Sequence, residues 1–219
     1  PFGNMEKWLV RKVDESFIIG GKTRYLYEVA PGDTLKDNTP FVPNLKVSPW
    51  ATSSVLAVVK GVTKSSCTVF PEYHGKGHAA RLETRIVKVM GLINISVLAT
   101  GTIFLGEVAE PVRDTKNPQS KLMMGIPFTE RPHSIIYDYK FDQGSDGGKR
   151  MKMTGFSRVQ DIPGTNAAEM CLILQKRWED ADGNVYAKRV ATAWERYDKS
   201  SGKWINAHEA EIHYGDITK

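Results

Sequence analysis

The stretch Asn166–Trp194, NAAEMCLILQKRWEDADGNVYAKRVATAW, decides the fold class because it supports two incompatible readings. Asn166 and Glu169 have the spacing of a capping box, and Ala167–Trp178 is long enough for three helical turns. Against the helix, Met170–Arg177 reads as an apolar strand joined through Asp180-Ala181-Asp182-Gly183-Asn184 to a second alternating run, Val185–Trp194. An Asp-Gly pair between two apolar runs signals a hairpin, since glycine supplies the left-handed backbone that a tight turn demands. The second run alternates clearly, placing Tyr186, Val190 and Trp194 on one face. The hairpin is therefore the favoured reading.

Outward from this stretch the same period of two recurs. Tyr25-Leu26-Tyr27-Glu28-Val29 is a short strand closed by Pro31-Gly32-Asp33, and Val55–Val59 is another, ended by Lys60-Gly61. From Ala80, the positions Leu82, Thr84 and Ile86 alternate with Arg81, Glu83 and Arg85, which predicts one half-buried strand. Ile135, Tyr137, Tyr139 and Phe141 share one strand face, with Asp138 and Lys140 on the other. Short strands at roughly 8–12-residue spacing with Gly and Pro between them imply a sandwich or barrel. No repeat, low-complexity tract or linker interrupts the pattern. Val112–Ser120, with Pro118, reads as a loop inside a domain, and the expectation is a single all-β domain over residues 1–219.

Composition limits the alternatives. Apolar residues make up 41% of the 219, enough for a core and too many for a disordered chain. The apolar-rich stretch Met90–Leu105 is broken by Gly91, Asn94, Ser96 and Gly101, well short of the ~20 residues that a spanning helix needs. No transmembrane segment is expected. Pro1 is not a natural start, which is consistent with a removed leader. The net charge of +5 is spread over scattered doublets, Lys149-Arg150, Lys176-Arg177 and Lys188-Arg189, and forms neither an arginine stripe nor a recognition helix. A solvated basic surface with some attraction for acidic glycans is expected, and no nucleic-acid partner. Cys67 and Cys171 lie in apolar runs and read as buried free thiols, with one long-range disulfide as the alternative.

No nucleophile elbow, Walker loop, dinucleotide fingerprint or paired CxxC motif is present. His74 and His78 have the i, i+4 spacing of helical metal ligands, but Gly75 and Gly77 make their segment a turn. Asp180, Asp182 and Asn184 imitate the start of a calcium loop, yet the glycine comes two places early and Ala191 stands where a bidentate Glu belongs. Glu83, Asp138, Glu169 and Glu195 are the strand carboxylates from which a glycosidase pair could be drawn, and outward-facing charge explains each equally. The aromatic supply says more. With five Trp and eight Tyr, Trp50, Tyr73, Trp178 and Trp204 all sit beside turn signals. Sugar rings stack their C–H faces on such rings while fixed polar groups take their hydroxyls. Core capping is the competing role.

Three segments together resemble the PCMD (putative carbohydrate metabolism domain) family. Gly3-Asn4-Met5-Glu6-Lys7-Trp8 is similar to its Asn-Phe-Glu-x-Trp opening, with Met5 in place of the aromatic. Gly77-His78-Ala79-Ala80-Arg81-Leu82-Glu83-Thr84 resembles its Gly-x-Ala-Ala-x-Leu-x-Thr strand. Gly125-Ile126-Pro127-Phe128-Thr129-Glu130-Arg131-Pro132, followed by Tyr137-x-Tyr139-Lys140-Phe141, resembles its Gly-x-Pro-Phe-x-x-Arg-Pro signature and tyrosine-rich strand. Trp50 and Gly101–Gly106 fall where the family has a Trp-containing turn and a glycine-bounded strand.

The resemblance implies an antiparallel two-sheet jelly-roll related to carbohydrate-binding modules. It also implies export in a Gram-negative bacterium, to the periplasm or the outer-membrane surface, often as a lipoprotein. The expected partner is a polysaccharide or oligosaccharide, with Trp50, Tyr73 and Trp178 as stacking platforms and His74 and Arg131 as polar partners. Pro132 keeps Arg131 extended. A two-carboxylate glycoside hydrolase and a cell-surface adhesin in a protein complex are the alternatives. Related modules share a structural calcium between an opening Glu and a closing Asp, which makes Glu6 the candidate metal ligand; no other cofactor is expected. Relatives continue past the equivalent of Tyr214 into a Ser-rich segment and a closing strand, so a shortened C-terminus is expected.

Overall fold

The computed structural model describes residues 3–89, 95–113, 121–144, 148–152 and 159–215. Among them every ladder between strands is antiparallel, and the one helical element is a 3-10 turn at Phe17–Ile19. The chain divides into two compact units, Pro1–Phe128 with Met153–Val159, and Thr129–Lys152 with Gln160–Lys219.

In the first unit, β1 (Leu9–Asp14) pairs with β2 (Thr23–Glu28). Then come β3 (Trp50–Thr52), β4 (Val55–Val59), β5 (Val62–Ser66), β6 (Val69–His74), β7 (Gly77–Leu82), β8 (Arg85–Val89), β9 (Ile95–Ala99), β10 (Ile103–Val108) and β11 (Leu122–Met124). β4–β5, β6–β7 and β8–β9 are hairpins, while β10 lies between β3 and β11. The strands read at Tyr25–Val29 and Val55–Val59 are thus β2 and β4. Val13, Leu26 and Leu56 pack as one buried cluster, joined by Cys67. On β1 the inward positions are Leu9, Arg11 and Val13, so a guanidinium occupies a core position.

One expectation fails here. The pattern from Ala80 to Ile86 is not one strand, because β7 ends at Leu82 and β8 starts at Arg85. The Glu83 N–H still donates to the Thr68 carbonyl at 2.8 Å, in the register that pairs Val69 with Leu82, and the chain then leaves that ladder to begin β8. Gly101 packs against this corner: a Cβ there would lie 2.3 Å from the Glu83 nitrogen. Gly106 is equally confined at φ +139°, where a Cβ would meet the Met123 carbonyl oxygen at 2.2 Å. Gly101→Ala is expected to destabilise by about 2 kcal/mol through this backbone clash. Urea titration checks it, and an unchanged midpoint would show that the corner is not rigid.

The second unit contains β12 (Ser134–Tyr139), β13 (Lys149–Lys152), β14 (Gln160–Thr165), β15 (Ala168–Glu179), β16 (Val185–Tyr197), β17 (Ile205–Glu211) and β18 (His213–Tyr214). β15 and β16 form the favoured hairpin, with no helix. Its turn is closed by Asp180, whose carboxylate accepts the N–H groups of Asp182 at 3.0 Å and Asn184 at 2.9 Å and the Tyr186 hydroxyl at 2.9 Å. Those bonds, led by Asn184, hold the Asp180 carboxyl below its ordinary range. The apparent calcium loop is therefore a self-bonded turn, with Gly183 at φ +82°.

A bulge between Leu174 and Gln175 matches Leu174 to Ala191 and Gln175 to Arg189, leaving Val190 as the extra residue. It breaks the face expected to unite Tyr186, Val190 and Trp194. Ala191 and Ala193 turn inward to Ile212, with Met170, Leu172, Leu174 and Ile135 around them, and Trp194 is exposed. The two cysteines are free, and Cys171 is exposed where a buried thiol was expected, since it stands opposite Trp194 on the outer face. On β12 the expected face is present: Ile135, Tyr137 and Tyr139 are half-buried and Ile136 and Asp138 exposed. The loop read at Val112–Ser120 lies largely outside the described residues.

Candidate functional site

The first unit carries an open groove of about 460 Å³, built from β2, β5, β6 and β8. Alternation along β2 buries Leu26 and turns Tyr25 and Tyr27 to the groove. Tyr27 meets Phe70 of β6 with ring centroids 6.0 Å apart, and Tyr25 is 52% exposed at the rim. Arg24, Lys64 and Arg85 complete the lining with Thr23 and Ser66. Arg85 lies 4.6 Å from the Phe70 centroid, with Arg81 4.7 Å from it, and its Nε donates to Glu83 at 2.8 Å. Lys64 Nζ donates at 3.0 Å to Glu15, a buried carboxylate that also accepts the Ser65 N–H and hydroxyl. Cys67 lines the groove too, and burial raises its thiol pKa, so it is not a ready nucleophile. Rings for sugar faces, hydroxyls and immobilised cations thus converge in one concave surface.

The residues singled out by sequence are divided between the two units. Trp50 opens β3 opposite Leu105 and is half-buried, so it is a strand residue and not a loop ring. Tyr73 is 80% exposed on the β6–β7 hairpin, where its ring packs at 4.9 Å against His78. His74 cannot partner it: the register pairs Tyr73 with His78 and His74 with Gly77, so alternation turns His74 to the opposite face. The same register separates His74 from His78, which removes the metal pair. Arg131, in the second unit, is exposed and stacks on Tyr214 at 4.4 Å, while the Tyr214 hydroxyl donates to the Pro132 carbonyl. Trp178 lies within β15, half exposed and stacked on Tyr186 at 5.6 Å and 15°. Glu6 accepts the His78 N–H at 3.1 Å, and its other oxygen lies 3.4 Å from the imidazole. Among the described residues no three His, Cys, Asp or Glu side chains gather to hold a metal, whereas calcium takes about six to eight oxygens.

The strand carboxylates are engaged individually. Glu83 is paired with Arg81 and Arg85, Glu169 with Arg196, and Asp138 accepts the Ala207 N–H at 2.7 Å. Glu195 belongs to a cluster that sequence reading did not assemble, made of Tyr137, Tyr139, Tyr197 and His208. It accepts the Tyr197 hydroxyl at 2.8 Å and lies 2.7 Å from His208 Nε2. Tyr197 is also hydrogen bonded to the Tyr137 hydroxyl and stacks on Tyr139 at 4.3 Å. Burial pushes the Tyr197 phenol up and its bonds to Tyr137 and Glu195 push it further, so it stays a donor and does not serve as a base. Burial acts upward on Glu195 as well, but the bonds from Tyr197 and His208 win and hold it ionised below its ordinary range.

Residues 33–192 match the sequence model of the putative carbohydrate metabolism domain family, most of the chain and both units. No curated protein and no solved structure matches the chain. No helix among the described residues is long and apolar enough to cross a membrane.

Proposed function

The chain belongs to the putative carbohydrate metabolism domain family, and from that premise we propose that it is a non-catalytic glycan-binding protein whose site is the Tyr25–Tyr27–Phe70 groove. The carrying observation is that this one concave surface combines the exposed Tyr25 ring and the half-buried Tyr27 with polar and cationic donors, as saccharide recognition requires. Tyr25 serves as the outer stacking platform and Tyr27 as the floor. Arg24, Lys64 and Ser66 take hydroxyl or acidic groups of the sugar. No carboxylate lines the groove among the described residues, so it offers no acid–base pair for glycoside hydrolysis. The paired antiparallel strands are read as the two sheets of a jelly-roll, and the family resemblance supports export to the periplasm or outer-membrane surface of a Gram-negative bacterium.

A glycan array run with the purified chain, with and without calcium, tests this. Selective binding is expected, and Tyr25→Ala should weaken it about tenfold by removing an exposed ring from the contact. A blank array with folded protein, or unaltered binding by Tyr25→Ala, would remove the groove as the site. Dependence on calcium would show that an ion takes part in binding, and its loss in Glu6→Gln would place that ion at Glu6.

A further inference from the structure

We propose that this groove selects acidic glycans, with Arg24 and Arg85 binding a saccharide carboxylate or sulfate while the sugar ring packs on the tyrosines; the inference rests on the glycan-binding reading above. Three cations line the groove, and the carboxylates that pair with them are not among its lining residues. The Glu15 side chain is 1% exposed and is shared by Lys64 at 3.0 Å and Arg24 at 3.9 Å. Glu83 is likewise shared by Arg85 and Arg81. Arg81 is also paired with Glu72 at 3.0 Å, so four cations meet three carboxylates and one positive charge is left in excess.

The Arg24 guanidinium is half exposed, and 3.9 Å is longer than a hydrogen bond, so its donors are not spent on Glu15. A guanidinium fork matches a carboxylate or sulfate with two parallel N–H···O bonds. Arg85 is held 4.6 Å from the Phe70 centroid, and Glu83 takes its Nε and Nη2 donors, so its position is set before a ligand arrives and it contributes charge, while Arg24 supplies the unspent fork. Covering these cations with a neutral sugar would strip their water without replacing it by charge, which works against neutral glycans.

Titration calorimetry of the full chain against four probes tests the proposal: polygalacturonate oligomers, their carboxyl-reduced neutral counterparts, heparin oligosaccharides and oligo(dT). The acidic saccharides are expected to bind about tenfold or more tightly than the reduced ones, with affinity falling as salt rises. The stronger of polygalacturonate and heparin identifies carboxylate or sulfate as the preferred group. Arg24→Gln, at an exposed position, should cut the acidic affinity about tenfold. Equal affinity for acidic and reduced oligomers would overturn the selectivity and leave glycan binding standing. Silence towards every saccharide would overturn both. Tighter binding of oligo(dT) than of any glycan would assign the groove to single-stranded nucleic acid, and unchanged acidic affinity in folded Arg24→Gln would exclude the clamp.

Discussion

Replacing Arg11 by methionine is expected to destabilise the first unit by about 3–5 kcal/mol, the cost of leaving buried carboxylates without their cation. The Arg11 side chain is 1% exposed at an inward position of β1. Its Nη1 donates to Glu28 at 2.8 Å and to Glu110 at 3.2 Å, and its Nη2 pairs with the other Glu110 oxygen. Burial works against its charge, but Glu110 and then Glu28 outweigh burial and raise its pKa further. Glu110 in turn accepts the Leu56 N–H at 2.9 Å and the Phe41 N–H at 3.3 Å, so the network ties β1, β2 and β4 to the loops at Phe41 and Glu110. Methionine keeps the apolar stem and removes only the guanidinium, including an Nε that is buried without a partner. Thermal melts should show a loss of roughly 10 °C at pH 8, at a few degrees per kcal/mol for a chain of this size. The loss should shrink at acid pH, where the Glu28 carboxyl is protonated. A shift of less than about 2 °C at pH 8 would mean that the network is dispensable.

That network also marks the limit of what could be read from sequence. Period-two alternation located β2, β4, β12 and the β15–β16 hairpin, because one buried face leaves its imprint on each strand by itself. It does not report which residue stands across the sheet. Arg11 among Leu9 and Val13 reads as one polar residue in an alternating run, and only the arrival of Glu28 and Glu110 explains it. The corner at Glu83–Thr84 depends on Thr68 and Gly101, and the phase shift at Val190 on a bulge, both set by neighbours remote in the chain. The site follows the same logic. Tyr25 and Tyr27 could be assigned to one face, whereas their meeting with Phe70 and Arg85 required the sheet. The pairing of Tyr73 with His78 and not His74 was within reach, since a turn at Gly75-Lys76 fixes that register. Family motifs, quoted as an ordered set, carried further than any single residue's environment.

The second large effect concerns pH. Glu28 is expected to make the folded protein progressively less stable as pH rises from about 4.5 to 7, and Glu28→Gln to abolish that slope. Burial pushes the Glu28 carboxyl from 4.5 up to about 7, against the opposing pull of Arg11, and the neighbouring Glu110 adds to the rise. A folded pKa above the unfolded one means that the folded state binds more protons between the two values. Stability from this group is therefore complete below about 4.5 and lost as pH climbs through 7, about 3 kcal/mol in all. Arg11 can balance one carboxylate, and at high pH it faces two. Glutamine copies the protonated carboxyl: it accepts from Arg11 and can still hydrogen bond the Thr52 hydroxyl, which lies 3.0 Å from Glu28 Oε2. Groups remote from Glu28 contribute alike to both proteins, so the difference between them reports Glu28 together with its partners Arg11 and Glu110. Urea unfolding at pH 5, 6, 7 and 8 should find Glu28→Gln level with the parent at pH 5 and up to about 3 kcal/mol more stable at pH 8. Parallel curves across that range would show that Glu28 ionises in the folded protein as it does in water, and that Arg11 carries both carboxylates unaided.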